Sequence, residues 1–176
     1  MSIRSAAAVV LLALPLLAGA AGGAARAPSA RAVLLDAAGQ KVGTAVLLPA
    51  RSGVTVRVEV KGLPPGKHGI HLHAAGRCEA PDFKTAGGHF NPMGKQHGLH
   101  NPSGAHAGDL PNLVVAGSGK GWGTFTARGV TLGDGEGSLL AGDGTAIVIH
   151  ADADDEQTDP SGNSGARIAC GVVERR

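Results

Sequence analysis

Short runs of β-forming residues, each ended by glycine or proline, constrain the fold of this chain more than any other feature. Residues 54–60 alternate four valines with Thr, Arg and Glu, the pattern of an antiparallel strand with one buried face. Further strands are predicted at residues 32–36, 43–48, 67–74, 113–116, 121–127, 146–150 and 167–173. No segment shows a helical period, and 29 glycines and 10 prolines supply frequent turns. The 176 residues therefore predict one all-β domain, a sandwich or a closed barrel.

Two long stretches, residues 76–111 and 151–165, lack any strand pattern and are rich in Gly, Pro, Asn and Asp. Loops of this length are uncommon in compact domains unless they are functional or held in place. Because the first contains Cys78 and several histidines, a disulfide and a bound metal are the constraints that could order it.

Residues 1–30 have the composition of a secretory signal peptide. Arg4 precedes an uninterrupted apolar run at residues 6–18, and small residues with an A-x-A pattern follow. The run is short for a membrane span, so an uncleaved N-terminal anchor is the weaker alternative. No cysteine lies near the cleavage zone, which excludes a bacterial lipoprotein anchor. Cleavage is expected somewhere from Ala20 to Ala30, leaving residues 31–176 as a periplasmic or secreted domain with no membrane attachment.

The formal net charge of +2 comes from the leader, because Arg4 and Arg26 both precede residue 31. Without them, 14 basic residues face 14 acidic ones. This balance gives no indication of a nucleic-acid partner or of a charged membrane surface.

Two cysteines in an exported protein favour a disulfide. A Cys78–Cys170 bridge would close a loop of roughly 90 residues, which chain entropy values at about 4–5 kcal/mol. Two free buried thiols are the alternative.

Seven of the eight histidines lie within residues 68–106, a density that folding alone does not require. His71 and His73 stand two apart on a predicted strand, so both rings can face one ion. The following loop offers a set of ligand types suited to tetrahedral zinc: His89, His97, His106 and Asp109. His150 ends the predicted strand at 146–150 and, taken alone, would be an ordinary surface residue.

Five separated motifs together resemble copper/zinc superoxide dismutase of the exported bacterial type. They are Gly-Ile-His-Leu-His at 69–73, Gly-Gly-His-Phe-Asn-Pro at 87–92, His-Gly at 97–98, His-Ala-Gly-Asp-Leu at 106–110 and Ala-Arg-Ile-Ala-Cys-Gly-Val at 166–172. The resemblance covers nearly all of residues 31–173, in the order of that family. It implies an eight-stranded Greek-key β-barrel with two long functional loops.

The resemblance also implies one copper and one zinc ion per subunit. Copper would be bound by His71, His73, His89 and His150. Zinc would be bound by His89, His97, His106 and Asp109, so that His89 bridges the two ions. Asp154 would link His71 with His97, and Cys78–Cys170 would brace the loop beneath the copper.

The activity implied is dismutation of superoxide to dioxygen and hydrogen peroxide, by alternate reduction and oxidation of the histidine-bound copper beside a structural zinc. His89 and Arg167 are the expected catalytic residues, with Arg167 as the cation for the anionic substrate. The 151–165 loop carries five acidic residues and no Lys or Arg. Cations that steer superoxide are therefore sought elsewhere, with Lys84, Lys95 and Lys120 as the candidates.

Two histidines remain outside these sets. His68 resembles the family's structural, non-ligand histidine, and His100 is interpreted as a solvated loop residue, with an accessory metal contact as the lesser alternative. A non-enzymatic copper or zinc carrier is the main rival function, while a plain β-sandwich adhesion module would leave the ordered ligands unexplained. The choice between monomer and homodimer stays open, with Trp122 as a candidate interface residue.

Overall fold

A computed structural model describes residues 28–176, so the predicted leader lies almost wholly outside the described part of the chain. The described residues form ten β segments and one 3-10 turn at Lys84–Ala86. The segments are β1 Ala30–Asp36, β2 Lys41–Ala50, β3 Gly53–Val60, β4 Gly66–His68, β5 Ile70–His73, β6 Leu113–Val115, β7 Gly121–Arg128, β8 Ala146–His150, β9 Arg167–Val172 and β10 Glu174–Arg175.

These ten segments make eight barrel strands, because two strands are each interrupted by a single residue. Gly69 separates β4 from β5, and Val173 separates β9 from β10. β10 continues β9 along β1 in one register, since Leu35 opposes Cys170 and Ala30 opposes Arg175. The eight predicted strands are all present, with boundaries that differ by a few residues.

The broken strand β4–β5 closes the barrel. The other strands follow the order β6-β7-β3-β2-β1-β9-β8, all antiparallel. β4 pairs with β6 at one end of this sequence, and β5 pairs with β8 at the other. The strand changes partners at Gly69, so the two edges of the sheet are joined. The chain crosses between non-adjacent strands after β3 and after β7, which gives the predicted eight-stranded Greek-key barrel.

The barrel interior is filled by aliphatic side chains. The predicted inward face of β3, Val54, Val56, Val58 and Val60, is buried to 5% exposure or less. Leucines and isoleucines from the other strands complete this core. Branched aliphatic residues pack well against a twisted sheet, which explains how the domain folds with so few aromatic residues.

The two predicted loops lie outside the barrel and cover one side of it. The Cys78–Cys170 disulfide, confirmed with a Cα–Cα distance of 5.6 Å, ties the first loop to β9. Phe83 and Ala86 of that loop pack with Cys170 and Val148 in a second small core. Within residues 28–176, no helical segment has the length and apolarity needed to cross a membrane.

Candidate metal centre

Three of the predicted ligands are carried by barrel strands. His71 and His73 lie on β5, a strand that is buried on both faces. Ile70 and Leu72 of the same strand join the barrel core, so the two histidines face the opposite side, beneath the loops. His150 ends the neighbouring strand β8, and its backbone N–H donates to the Gly69 carbonyl at 2.8 Å. All three histidines are almost fully buried.

The 76–111 loop is held along β5 by backbone hydrogen bonds. Leu72 N–H donates to the Gly108 carbonyl at 2.9 Å, and Phe90 N–H donates to the Leu72 carbonyl at 2.8 Å. Gly108 is required there, because a Cβ atom would collide with the Leu72 carbonyl oxygen. This contact brings Asp109 opposite His71 and His89 opposite His73.

Three histidine nitrogens from this loop converge on the Asp109 carboxylate. Its Oδ1 lies 2.8 Å from His89 Nδ1, 3.0 Å from His97 Nδ1 and 3.2 Å from His106 Nδ1. A zinc ion bound at its usual distances would set tetrahedral ligand atoms about 3.3 Å apart. These residues, called the loop cluster below, therefore match the size and donor types of a zinc site. The loop cluster is His89, His97, His106 and Asp109.

A second group is defined by buried nitrogens without partners. His71 Nδ1, His73 Nε2, His89 Nε2 and His150 Nε2 have no hydrogen-bond partner within the described residues. One ligand atom of each of the four histidines lies within 4.8 Å of those of the others. Buried polar atoms without partners are costly, and four convergent imidazole nitrogens suit copper. This strand cluster is His71, His73, His89 and His150.

His89 belongs to both clusters through different ring nitrogens. Its Nδ1 contacts Asp109 in the loop cluster, and its Nε2 is one of the unpartnered atoms of the strand cluster. The ring stacks on His71 with centroids 4.0 Å apart. One imidazole thus lies between the two groups of ligand atoms.

Asp154 connects the clusters from the outside. Its carboxylate accepts from His71 Nε2 at 2.7 Å and from His97 Nε2 at 2.9 Å. Asn112 holds Asp154 in place, because it exchanges two hydrogen bonds of 2.8 Å with the Asp154 backbone. Gly162, at φ +60°, packs so closely that a Cβ atom would overlap the Asp154 carboxylate. Sequence reasoning found Asp154 and missed Asn112, which carries no motif of its own.

Arg167 reaches from β9 to the first loop. Its guanidinium donates to the carbonyls of Phe83 and Gly87, both at 2.7 Å. The Gly87 carbonyl also accepts from His73 Nδ1 at 2.9 Å. Burial lowers the pKa of Arg167, although an arginine remains cationic in proteins.

A cavity of about 410 Å³ opens beside the strand cluster. His73, His89, His150 and Arg167 line it, together with Pro160 and Ser161 of the second loop. Arg167 is the one Lys or Arg among the described residues lining this cavity. None of the three lysines considered for steering, Lys84, Lys95 and Lys120, is among the described residues that line this cavity.

The pKa values of the buried histidines shift in opposite directions. In the strand cluster, burial lowers the pKa of His73 to about 2 and that of His150 to about 3, so both rings are neutral. Burial also lowers the pKa of the shared His89 to about 4. Burial opposes protonation of His97 too, yet hydrogen bonds with Asp109 and Asp154 raise its pKa to about 9. Hydrogen bonds with His89 and His97 outweigh burial at Asp109, and hydrogen bonds with His71 and His97 outweigh it at Asp154, so the pKa values of both carboxyl groups are lowered.

Comparison with known proteins agrees with this geometry. Residues 41–173 match the family model described as copper/zinc superoxide dismutase. The chain belongs to that family. It is 47% identical over 146 residues to "Superoxide dismutase [Cu-Zn] 2" of Aquifex aeolicus, covering 82% of this chain and 85% of the relative.

Two solved structures share the barrel. A SOD-like protein from Bacillus subtilis superposes with a TM-score of 0.78 at 42% identity, covering 81% of this chain and 96% of the other. The Cu/Zn superoxide dismutase from Brucella abortus has a TM-score of 0.66 at 32% identity, with 83% and 99% covered. The chain is thus an oxidoreductase of the copper/zinc superoxide dismutase family, whose cofactors are copper and zinc.

Two histidines lie outside both clusters. His68 is buried, with its ring nitrogens 2.8 Å from the His150 and Pro64 carbonyl oxygens, the structural position expected from the family resemblance. His100 is largely exposed, with Nδ1 3.2 Å from a Glu156 carboxylate oxygen. Trp122, the predicted interface candidate, is 78% exposed on β7.

Proposed function

We propose that this superoxide dismutase binds copper at the strand cluster and zinc at the loop cluster, with His89 shared by both ions. The observation that carries the proposal is the set of four buried, convergent, unpartnered nitrogens in the strand cluster. Copper bound there supplies the one-electron chemistry that dismutation needs, whereas redox-inert zinc cannot.

The strand cluster is prepared to bind a metal at neutral pH. Burial keeps His73 and His150 neutral, so neither ring must lose a proton before it coordinates. Asp154 fixes His71 by accepting its Nε2–H, which leaves the Nδ1 lone pair facing the site. The Gly87 carbonyl orients His73 in the same way through its Nδ1–H.

His89 is the residue that can hold a proton at the right place. Its Nδ1 stays within the loop cluster, while its Nε2 points into the strand cluster and the ring lines the cavity. A proton carried on Nε2 would lie between the metal site and the substrate cavity. Nε2 has one lone pair, which would hold either copper or a proton, and with the proton the ring would be a general acid beside the substrate cavity.

Arg167 provides the positive charge for superoxide. The carbonyls of Phe83 and Gly87 hold its guanidinium in a fixed orientation at the cavity wall. A lysine could supply charge there, but a single ammonium would not offer the same planar set of donors. An anion entering the cavity thus meets Arg167 next to the strand cluster.

A copper or zinc carrier is the rival function, and one assay separates the two. Protein loaded with both metals is expected to dismutate superoxide, and His73→Ala is expected to abolish the activity while leaving zinc bound at the loop cluster. His100→Ala is the matched control, since it removes an exposed histidine outside both clusters. Full metal loading without activity above that of free buffer would favour the carrier.

We infer that the leader is removed on the N-terminal side of Ser29, because Ala30 is fully buried and Arg176 N–H donates to the Ser29 carbonyl at 2.8 Å. The disulfide suits a periplasmic or secreted location, without membrane attachment after cleavage. Trp122 is 78% exposed on β7 and Val114 is 59% exposed on the paired strand β6, and we propose that a homodimer would form through these two apolar side chains.

A further inference from the structure

Each metal-facing histidine except the shared His89 has one ring nitrogen that does not face its metal site, and a hydrogen-bond partner at that nitrogen can orient the ring. Four of the five have one at 2.7–3.3 Å. Their partners are Asp154 for His71 and His97, the Gly87 carbonyl for His73 and the Gly165 carbonyl for His150. His106 is the exception, because its Nε2 forms no hydrogen bond within the described residues.

A carboxylate lies beside this unpaired nitrogen. Asp159 Oδ1 is 3.8 Å from His106 Nε2, a distance longer than a hydrogen bond. A small movement of the side chain would bring the two atoms within hydrogen-bond distance. The same oxygen accepts the backbone N–H of His97 at 2.6 Å. Asp159 thus faces two ligands of the loop cluster at once, although it lies on the second loop.

We propose that Asp159 is the positioning residue for His106, and that its carboxylate accepts the His106 Nε2–H when zinc occupies the loop cluster. This inference rests on the zinc site proposed above. Asp159 has two carboxylate oxygens, so one can keep the His97 N–H while the other receives the ring. Its side chain is about half exposed, at 49%, and can make the small movement required.

A charged acceptor at this position would act on His106 in two ways. It would fix the tautomer with the proton on Nε2, which leaves the Nδ1 lone pair directed at the metal. It would also raise the basicity of Nδ1 and so strengthen its bond to zinc. Because Asp159 belongs to the 151–165 loop, the contact would couple the order of that loop to zinc binding.

Zinc affinity, measured by competition with a chelator on the purified disulfide-bonded chain, tests this role. Asp159→Ala is expected to weaken zinc binding about 10–100-fold, the usual loss when the outer partner of a metal-bound histidine is removed. Asp159→Asn keeps an acceptor for the His97 N–H but removes the charge facing His106, so a loss of similar size is expected. Cobalt(II) placed in the loop cluster should show a shifted visible spectrum in both variants.

Asp155→Asn is the matched control. It neutralises a carboxylate in the same loop whose partners are Gln157, Thr158 and Asn163, all within that loop. Its zinc affinity is expected to stay within twofold of the parent. Equal losses in Asp155→Asn and Asp159→Asn, or an Asp159→Asn variant that binds zinc like the parent, would overturn the assignment. A parent chain that binds no zinc at the loop cluster would instead overturn the proposed function and the inference with it.

Discussion

The strand cluster and the loop cluster share His89 yet are built in different ways. Three of the four strand-cluster histidines lie on β5 and β8, where the barrel fixes their positions and no carboxylate contacts the converging nitrogens. All four loop-cluster ligands lie on the first loop and gather around one buried carboxylate, Asp109.

This difference indicates how each site is kept ready without metal. The strand cluster is rigid because it belongs to the barrel, and its cost is four buried nitrogens without hydrogen bonds. In the loop cluster, His97 is hydrogen-bonded through both ring nitrogens, to Asp109 at 3.0 Å and to Asp154 at 2.9 Å. One site is held by the fold and the other by its own charges.

Reducing the disulfide should cause the largest loss in the free energy of unfolding. The first loop should be the region that is most affected. Cys78 and Cys170 are 92 residues apart, so reduction is expected to lower the free energy of unfolding by about 4–5 kcal/mol. Urea unfolding of the oxidised and reduced forms measures this difference. Hydrogen exchange should show residues 76–111 losing more protection than β5 and β8, whose loss should match the fall in global stability. Equal loss of protection in strands and loop would contradict the contrast between the clusters.

Asp109→Ala should be the most costly single substitution in the metal-free chain. Its carboxylate accepts from the rings of His89 and His97 and from the backbone N–H groups of Gly98 and His106, and it lies 3.2 Å from His106 Nδ1. Removing one member of a buried charged network costs about 3–5 kcal/mol. Asp143→Ala is the control, because Asp143 pairs with Arg77 on the surface and should lose at most about 1 kcal/mol. Similar losses in the two variants would refute the role of Asp109.

Arg167→Ala tests the role of the guanidinium that connects β9 to two carbonyls of the first loop. Loss of the cation should lower kcat/KM about tenfold, the low end of what a steering field supplies, and should flatten its dependence on salt. Arg167→Lys should fall between the parent and the alanine variant, because it keeps charge but cannot hold both loop carbonyls. Rates and salt slopes equal to the parent's would remove Arg167 from the mechanism.

The strand-cluster histidines and His97 of the loop cluster should respond to pH in opposite directions. The folded pKa values of His73, His89 and His150, about 2, 4 and 3, lie below the unfolded value of 6.5. Unfolding therefore takes up protons, and their stabilising effect is lost as pH falls below 6.5. His97, with a folded pKa of about 9, contributes stability below pH 6.5 that is lost as pH rises through 9.

Urea unfolding of the metal-free chain from pH 4 to 10 measures both losses of stability, the one at acid pH (the acid limb) and the one at alkaline pH (the alkaline limb). His150→Leu should flatten the acid limb alone, and His97→Gln should flatten the alkaline limb alone. A single variant that flattens both limbs would show that the clusters are not electrostatically distinct.

His73→Leu should have the smallest effect on folding, although it removes a metal ligand. An apolar side chain of similar size replaces a buried ring with one unpartnered nitrogen, which costs little or stabilises. The Gly87 carbonyl keeps its bond from Arg167. The free energy of unfolding of the metal-free chain should stay within about 1 kcal/mol of the parent. A loss as large as that of Asp109→Ala would show that the strand cluster also stabilises the empty fold.

The sequence predicted the metal ligands on the strands more directly than the ligands on the first loop. The alternation of β3 and the spacing of His71 and His73 follow from strand geometry, and both appear as expected. The loop ligands have the residue types of a zinc site, but their grouping came from the family resemblance. Their convergence depends on backbone contacts between the loop and β5, which have no local pattern.

The partners of the ligands were the least predictable part. The Gly87 and Gly165 carbonyls are backbone groups, so residue type does not reveal them. Asn112 and Asp159 are polar residues like many others in the loops. Asn112 contacts Asp154, 42 residues away in the chain, and Asp159 contacts His97, 62 residues away. The change of partner at Gly69 likewise depends on both neighbouring strands.

Anomalous diffraction at the copper and zinc edges, from crystals of the chain loaded with both metals, tests the central claim most directly. The account predicts a copper peak among His71, His73 and His150, a zinc peak among His97, His106 and Asp109, and the His89 ring between the two. A strand cluster that stays empty in fully loaded protein, with copper bound elsewhere, would contradict it.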